Sequence, residues 1–147
     1  MKKNGFTLVE LMITVAVVAV LAMIAIPNYT QYVRRGNRTD ATKTLMLQAQ
    51  ALERCYSQTF TYALPCAGVV AGPVNSPNGN YTITVQVPDP NVPVVVPPTP
   101  SFLITAVALS PSQLADLPCR TFTLNTSNTQ VALTSAAAPN TLTCWGS

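Results

Sequence analysis

The residues of this sequence that could take part in chemistry are few and scattered. The chain has 147 residues, no histidine and five carboxylates, which are Glu10, Asp40, Glu53, Asp89 and Asp116. Without histidine, the commonest general base and metal ligand is missing. The spacing of the carboxylates indicates neither an acid–base pair nor a calcium loop, and no glycine-rich phosphate loop is present. We therefore predict a protein that is not an enzyme, with no catalytic residues, no metal site and no cofactor.

Four cysteines offer a second kind of chemistry. Cys55, Cys66, Cys119 and Cys144 all follow the apolar N-terminal run, in a region rich in Thr and Asn. An even number of cysteines in such a region favours two disulfides formed in an oxidising compartment. The alternatives are free buried thiols and zinc, but no two cysteines have the spacing of a zinc knuckle. Of the three possible connectivities we favour the most local, Cys55–Cys66 with Cys119–Cys144.

Glu10 stands inside an apolar run. Residues 6 to 26 number 21, of which only Thr7, Glu10 and Thr14 are polar. As a helix this run would extend about 31 Å, enough to cross a bilayer. A carboxylate in lipid is costly, so Glu10 needs either a partner or a functional reason.

The helical pattern continues beyond the apolar run. We predict one helix from about Phe6 to about Tyr56, bent at Pro27 and weakened near Gly36. Its first half has no polar face, which indicates burial in lipid or among partner helices. Its second half is amphipathic and is expected to pack on a soluble domain. Apolar and aromatic residues at spacings of three and four carry this pattern, namely Tyr29, Tyr32, Val33, Ala41, Leu45, Ala49, Leu52 and Tyr56.

Alternating residues then predict strands. The segment 81–87 alternates between apolar and polar side chains after the turn signal "NGN", and segments 101–109, 120–125 and 129–134 follow the same pattern. An antiparallel sheet of about four strands, one face on the helix, gives an α+β fold. Between the first two strands, residues 88–100 contain six prolines. We interpret them as an extended spacer, with a binding loop as the alternative.

The N-terminal residues resemble a known family. The stretch "GFTLVELM" after a short basic leader, followed by an apolar helix with Pro27, Tyr29 and Tyr32, resembles the type IV pilins and pseudopilins. The stretches "YVRRGNRTDA" and "ALERCY" and the closing segment with Trp145 are similar to PilE-type minor pilins. This resemblance implies a lollipop-shaped α+β protein: a long N-terminal helix, a small antiparallel sheet and a C-terminal loop bounded by Cys119–Cys144.

The resemblance also implies a division of the chain. Residues 1–5 would be the leader, 6–27 the transmembrane and filament-core helix, 28–57 its amphipathic half, and 58–147 the head, with the proline-rich loop 88–100 and the D-region 119–144. A prepilin peptidase would cut between Gly5 and Phe6 and methylate the amine of Phe6. The alternative is an ordinary signal peptide cut after Ala22, which the length of the run and Glu10 disfavour.

The implied function is that of a structural, minor subunit of a type IV pilus serving adhesion, twitching motility or DNA uptake. The precursor would sit in the inner membrane with its N-terminus in the cytoplasm, then enter the extracellular filament. Its implied partners are other pilin subunits, the prepilin peptidase, the inner-membrane assembly platform and membrane lipid. Glu10 would pair with the Phe6 amine of a staggered neighbouring subunit.

Two alternatives remain beside this function. A type II secretion pseudopilin would have an acidic calcium loop where this chain has cysteines. A DNA receptor needs basic residues to neutralise phosphates, yet from Ser57 onward Arg120 is the only one, against Asp89 and Asp116. We interpret Arg34, Arg35 and Arg38 as solvated or lipid-contacting charges. A filament is expected to bury or crowd most of the cations on the helix, which are these three with Lys43 and Arg54.

Overall fold

The computed structural model describes residues 6–69, 72–89 and 100–146, in two compact units, Met1–Val33 and Arg34–Ser147. We call the described part of the first unit, residues 6–33, the anchor, and the second unit the head. Helix α1 (Leu8–Thr59) has 52 residues and belongs to both. It continues without interruption through Pro27 and Gly36, and its bounds lie within three residues of those predicted.

The anchor exposes its apolar side chains. Helix α1 is long and apolar enough to cross a membrane, and none of its most apolar stretch is buried. Helices of globular domains bury such a surface against other elements. The anchor is therefore built for a surrounding that is itself apolar, which agrees with the predicted lipid or partner helices.

The head contains a five-stranded antiparallel sheet. The strands are β1 (Val74–Asn75), β2 (Tyr81–Gln86), β3 (Leu103–Ala108), β4 (Thr121–Asn125) and β5 (Gln130–Leu133). Every strand pairs with its neighbours in sequence, in the order β1-β2-β3-β4-β5. The four predicted strands are confirmed. The two-residue strand β1 was not predicted, and neither were the short helices α2 (Pro111–Leu114) and α3 (Thr141–Trp145).

The core of the head lies between α1 and one face of the sheet. Alternate residues of the strands are buried, as the period of two requires. They pack with Ala41, Leu45 and Leu52 of α1, which are three residues of the predicted apolar stripe. The amphipathic half of α1 is thus fixed to the sheet by apolar burial.

The predicted proline-rich loop 88–100 lies largely outside the described residues. At its start, the backbone N–H of Asp89 donates a hydrogen bond to the hydroxyl of Ser101 at 3.1 Å. The predicted D-region 119–144 carries β4, β5 and the greater part of α3. Half of the residues that the disulfide encloses are therefore in regular helix or strand.

Candidate assembly helix and head surfaces

The first turn of α1 is capped by Glu10. Its Oε2 accepts hydrogen bonds from the backbone N–H and the hydroxyl of Thr7, both at 2.9 Å, while the Thr7 hydroxyl accepts the Glu10 N–H at 3.3 Å. This reciprocal pattern is a capping box, which satisfies backbone donors that a helix start leaves unpaired. The sequence analysis missed it, although a Thr followed three residues later by Glu is its signature. Glu10 therefore has a local partner within its own chain.

Two further threonine hydroxyls of the anchor helix are hydrogen-bonded to its own backbone. The hydroxyl of Thr14 donates to the Leu11 carbonyl at 2.8 Å, and that of Thr30 donates to the Pro27 carbonyl at 2.9 Å. Such bonds are required where no water is available. Phe6, at the described N-terminal end, is 84% exposed, and Gly5 lies outside the described residues. The anchor thus presents an apolar surface on which Glu10 is the one charged side chain among residues 6–33.

An ion pair inside the head corrects the interpretation of Arg38. Its Nε and Nη2 donate to the two carboxylate oxygens of Asp116 at 2.8 and 3.0 Å, and both side chains are buried. Arg38 is therefore not a solvated or lipid-contacting charge as predicted. The prediction was wrong because the two residues are 78 positions apart, and the periodicity of α1 gives no sign of a distant carboxylate.

A second polar cluster fixes the turn before β2. Asp40 accepts hydrogen bonds from the Ser76 hydroxyl and from the backbone N–H groups of Asn78 and Asn80. Ser76 in turn accepts the Tyr81 N–H at 3.0 Å. The buried carboxylate of Asp40 thereby supplies acceptors to a turn whose donors would otherwise lack partners. It contributes to the positions of β1 and β2 relative to α1.

Gln113 connects the short helix α2 to the same region. Its Nε2 donates to the Tyr81 hydroxyl at 2.7 Å and to the Arg34 carbonyl at 3.4 Å, and its Oε1 accepts from Asn37 at 3.4 Å. The buried phenol of Tyr81 has a pKa raised to about 12, chiefly because burial disfavours the charged form. These groups form a neutral, hydrogen-bonded cluster that packs α2 against α1.

The two disulfides join the cysteine pairs that the sequence analysis favoured. Cys55–Cys66 links the last turns of α1 to the chain that follows, and Cys119–Cys144 links the chain just before β4 to α3. Trp145, next to the second bridge, packs edge-on against Phe122 with ring centroids 5.8 Å apart. The second disulfide is therefore continuous with the core of the head.

The surface charge of the head differs from the count made on the sequence. Asp89 and Asp116 were weighed against Arg120 as surface acids, but both are buried. Among the described residues of the head, the exposed or half-exposed charges are five cations and one acid. They are Arg34, Arg35, Lys43, Arg54 and Arg120, with Glu53. The exposed surface is thus more basic than the sequence indicated.

Family models match both parts of the chain. Residues 27–123 match the model described as "Type IV minor pilin ComP, DNA uptake sequence receptor". Residues 1–26 match the model "Prokaryotic N-terminal methylation motif". Together these matches confirm the resemblance found in the N-terminal sequence.

Relatives with curated descriptions are similar over part of their length. "Fimbrial protein EcpC" of Eikenella corrodens is 36% identical over 85 residues, 58% of this chain and 54% of that protein. "Prepilin peptidase-dependent protein D" of Escherichia coli K12 is 41% identical over 54 residues, 37% of each chain. "Type IV major pilin protein PilE1" of Neisseria gonorrhoeae is 33% identical over 85 residues, 58% of this chain and 40% of that protein. The chain spans about half or less of the length of these relatives.

Proposed function

We propose a function from one premise: this chain belongs to the type IV minor pilin family whose model is described as ComP, DNA uptake sequence receptor. It is a pilus subunit, made as a membrane-anchored precursor with an N-terminal methylation motif and an apolar helix. Within the filament it packs against other pilin subunits. We propose that its role there is structural, in pili that serve adhesion, twitching motility or DNA uptake, and that it performs no catalysis.

The observation that carries this proposal is the contrast within α1. The helix exposes apolar residues along the anchor, whereas in the head the same helix buries Ala41, Leu45 and Leu52 against the sheet. A domain that needed α1 only for its own stability would have no use for the exposed stretch, because exposed apolar surface is unfavourable in water. The anchor supplies surface for lipid first and for neighbouring helices later.

The proposed route to the filament has three steps. The prepilin peptidase removes residues 1–5 by cutting between Gly5 and Phe6, and it methylates the new amine. The subunit then waits in inner-membrane lipid, held by the helix 6–27, which is followed in the chain by the amphipathic segment 28–57 and the globular segment 58–147. The inner-membrane assembly platform finally moves it into the growing pilus, where Glu10 meets the Phe6 amine of a neighbour.

Mass spectrometry of purified pili tests this proposal. The subunit recovered from pili is expected to begin at a methylated Phe6, and replacement of Gly5 by leucine should leave the leader attached, because a large side chain hinders close approach to the backbone. A mature chain that begins after Ala22 would instead indicate an ordinary signal peptide. If the chain were secreted without entering pili, the proposed function would be wrong.

DNA binding is a second candidate function. Its support is the basic surface left by the burial of Asp89 and Asp116, together with the family's description as a DNA uptake sequence receptor. Lys43 and Arg54 are both exposed on α1, about 16 Å apart along the helix, and a phosphate backbone could contact both. It ranks second because Arg120 is the one cation among the described residues beyond α1.

A further inference from the structure

One side of α1 in the head carries exposed side chains of mixed character. Lys43, Leu47, Gln50 and Arg54 follow one another at spacings of four, three and four residues, so they lie on one side of the helix. All four are exposed, and we call them the outer face of α1. This face lies opposite the buried stripe of α1 that packs on the sheet. It extends about 16 Å along the helix.

The cations of the outer face have no acidic partner within the part of the chain that the structure describes. No carboxylate there lies within ion-pair distance of Lys43 or Arg54. The one exposed acid of the head, Glu53, accepts a hydrogen bond from the Tyr62 hydroxyl at 3.0 Å. The other acids of the head are buried, and they are Asp40, Asp89 and Asp116. The fold therefore engages its carboxylates internally and leaves these cations at the surface.

A second copy of the chain does not complement the outer face. The exposed or half-exposed charges of the described head are five cations and one acid, and five minus one gives +4. Two such surfaces in contact would place like charges opposite each other, which disfavours association. A complementary partner has an acidic surface and is therefore a different protein.

Apolar side chains between the two cations favour a protein over a nucleic acid as this partner. Leu47 is 51% exposed, and Met46 beside it is 43% exposed. Protein interfaces combine an apolar centre with a polar rim, whereas affinity for a phosphate backbone comes from cations. Lys43 and Arg54, on either side of Leu47, match the protein arrangement.

We propose that the outer face of α1 binds an acidic surface of a different pilin subunit, so that copies of this chain enter the pilus singly, between copies of that subunit. The inference rests on the proposed function, since it needs a filament. It agrees with membership of a minor pilin family, because a minor subunit is surrounded mainly by subunits of another kind. Leu47 is buried at the centre of the contact, and Lys43 and Arg54 pair with carboxylates of the neighbour.

A photocrosslinking amino acid placed at position 47 of the full chain tests the contact in cells whose pili contain this protein. The expected product joins this chain to a different pilin, at a segment of that pilin rich in Asp or Glu. A dimer of this chain, an adduct to nucleic acid, an adduct to a segment without acids, or no adduct from chain present in pili would each overturn the inference. Absence of the wild-type chain from pili would overturn the proposed function, and this inference with it.

Reversal of charge on the outer face gives an independent test. Lys43→Glu and Arg54→Glu are each expected to lower the amount of chain in sheared pili about fivefold or more, because an attraction becomes a repulsion. The matched control Arg120→Glu makes the same change in net charge away from α1 and should leave incorporation unchanged. Disulfide content and circular dichroism of the variants establish that the head is folded. Wild-type incorporation of both face variants, or an equal loss with Arg120→Glu, would overturn the inference.

An exchange of charges separates this contact from a general effect on assembly. The carboxylate of the other pilin that crosslinking places nearest to position 47 is changed to lysine, and this change is combined with Lys43→Glu or with Arg54→Glu. One of the two combinations should recover most of the lost incorporation, since opposite charges again face each other. Recovery in neither combination would overturn the inference.

Discussion

Arg38 binds Asp116 through two parallel hydrogen bonds, with Nε to Oδ2 at 2.8 Å and Nη2 to Oδ1 at 3.0 Å. This bidentate geometry matches the planar guanidinium to the carboxylate. The pair joins the helix that the head shares with the anchor to the chain between α2 and β4. Because both groups are buried, each depends on the other to compensate its lost hydration.

Loss of one partner of this pair should destabilise the head strongly. Arg38→Met, in the head expressed from residue 34, is expected to lower the free energy of unfolding by about 3 to 5 kcal/mol, because Asp116 keeps a buried charge without its arginine. The double variant Arg38→Met/Asp116→Leu should recover much of this loss. Arg35→Met, at an exposed neighbouring arginine, should change the free energy of unfolding by less than about 0.5 kcal/mol. Urea denaturation measures all three, and a single variant as stable as wild type would contradict a stabilising ion pair.

The two disulfides should contribute unequally. Loop entropy predicts about 3.5 kcal/mol for Cys119–Cys144 and about 2.8 kcal/mol for Cys55–Cys66, since their sequence separations are 25 and 11 residues. Paired serine replacements, analysed by thermal unfolding, measure each contribution. Replacement of Cys119 and Cys144 should also loosen α3 and lower the hydrogen-exchange protection of the backbone amides of β5. Equal or reversed losses would indicate that strain or residual structure, rather than loop length, decides their effects.

Glu10 is expected to act at assembly rather than at insertion. Glu10→Leu should enter the membrane and be cleaved normally, because it removes a charge from an apolar helix, yet it should be missing from sheared pili. The matched variant Glu10→Gln keeps an acceptor for the Thr7 capping bonds but carries no charge. If the charge pair with a neighbouring Phe6 amine matters, both variants fail to assemble. Normal incorporation of the glutamine variant alone would assign Glu10 to capping.

Alkaline pH should unfold the head through two tyrosines. Burial raises the pKa of both Tyr62 and Tyr81 to about 12, and for Tyr62 the hydrogen bond to Glu53 adds to the effect. The folded state therefore holds these protons more tightly than the unfolded chain, whose tyrosines have a pKa near 10. The associated stability is present below about pH 10 and is lost as the pH rises towards 12. Denaturation curves measured across this pH range should show the decrease in the free energy of unfolding. Tyr81→Phe should make that free energy depend less steeply on pH.

DNA binding by the head is expected to be weak and governed by charge. Duplex DNA should bind without sequence preference, and Lys43→Ala with Arg54→Ala should lower the salt slope by about one for each cation removed. Glu53→Gln, between them on α1, should strengthen binding slightly. Fluorescence anisotropy at several salt concentrations measures these slopes. Tight, sequence-specific binding at physiological salt would make DNA reception the first of the two candidate functions.

Much of the fold could be predicted from local periodicity, and the polar interior could not. Strand β2 follows from the alternation around Tyr81 and Ile83, and the buried stripe of α1 from the spacing of Ala41 and Leu45. Strand β1 has two residues, too few to show a period. The burial of Gln113 depends on partners at distant positions in the chain, which no local pattern reveals. The capping role of Glu10 was predictable from its spacing to Thr7. The sequence analysis considered only the charge of Glu10 in lipid.

The enclosure of β4, β5 and most of α3 between Cys119 and Cys144 affects how such a chain can diverge over generations. Phe122, Leu124 and Ala132 of this segment belong to the core, so substitution there is penalised by packing. The turn at residues 126–129 has exposed or half-exposed side chains, and a covalent bond holds the ends of the segment around it. Mutations at the exposed Ser127 and Thr129 can accumulate with little cost to folding, because exposed loop tips tolerate change. Thr126 is more constrained, because its hydroxyl accepts the Phe102 N–H. Selection can therefore alter what the turn contacts while the framework is inherited unchanged.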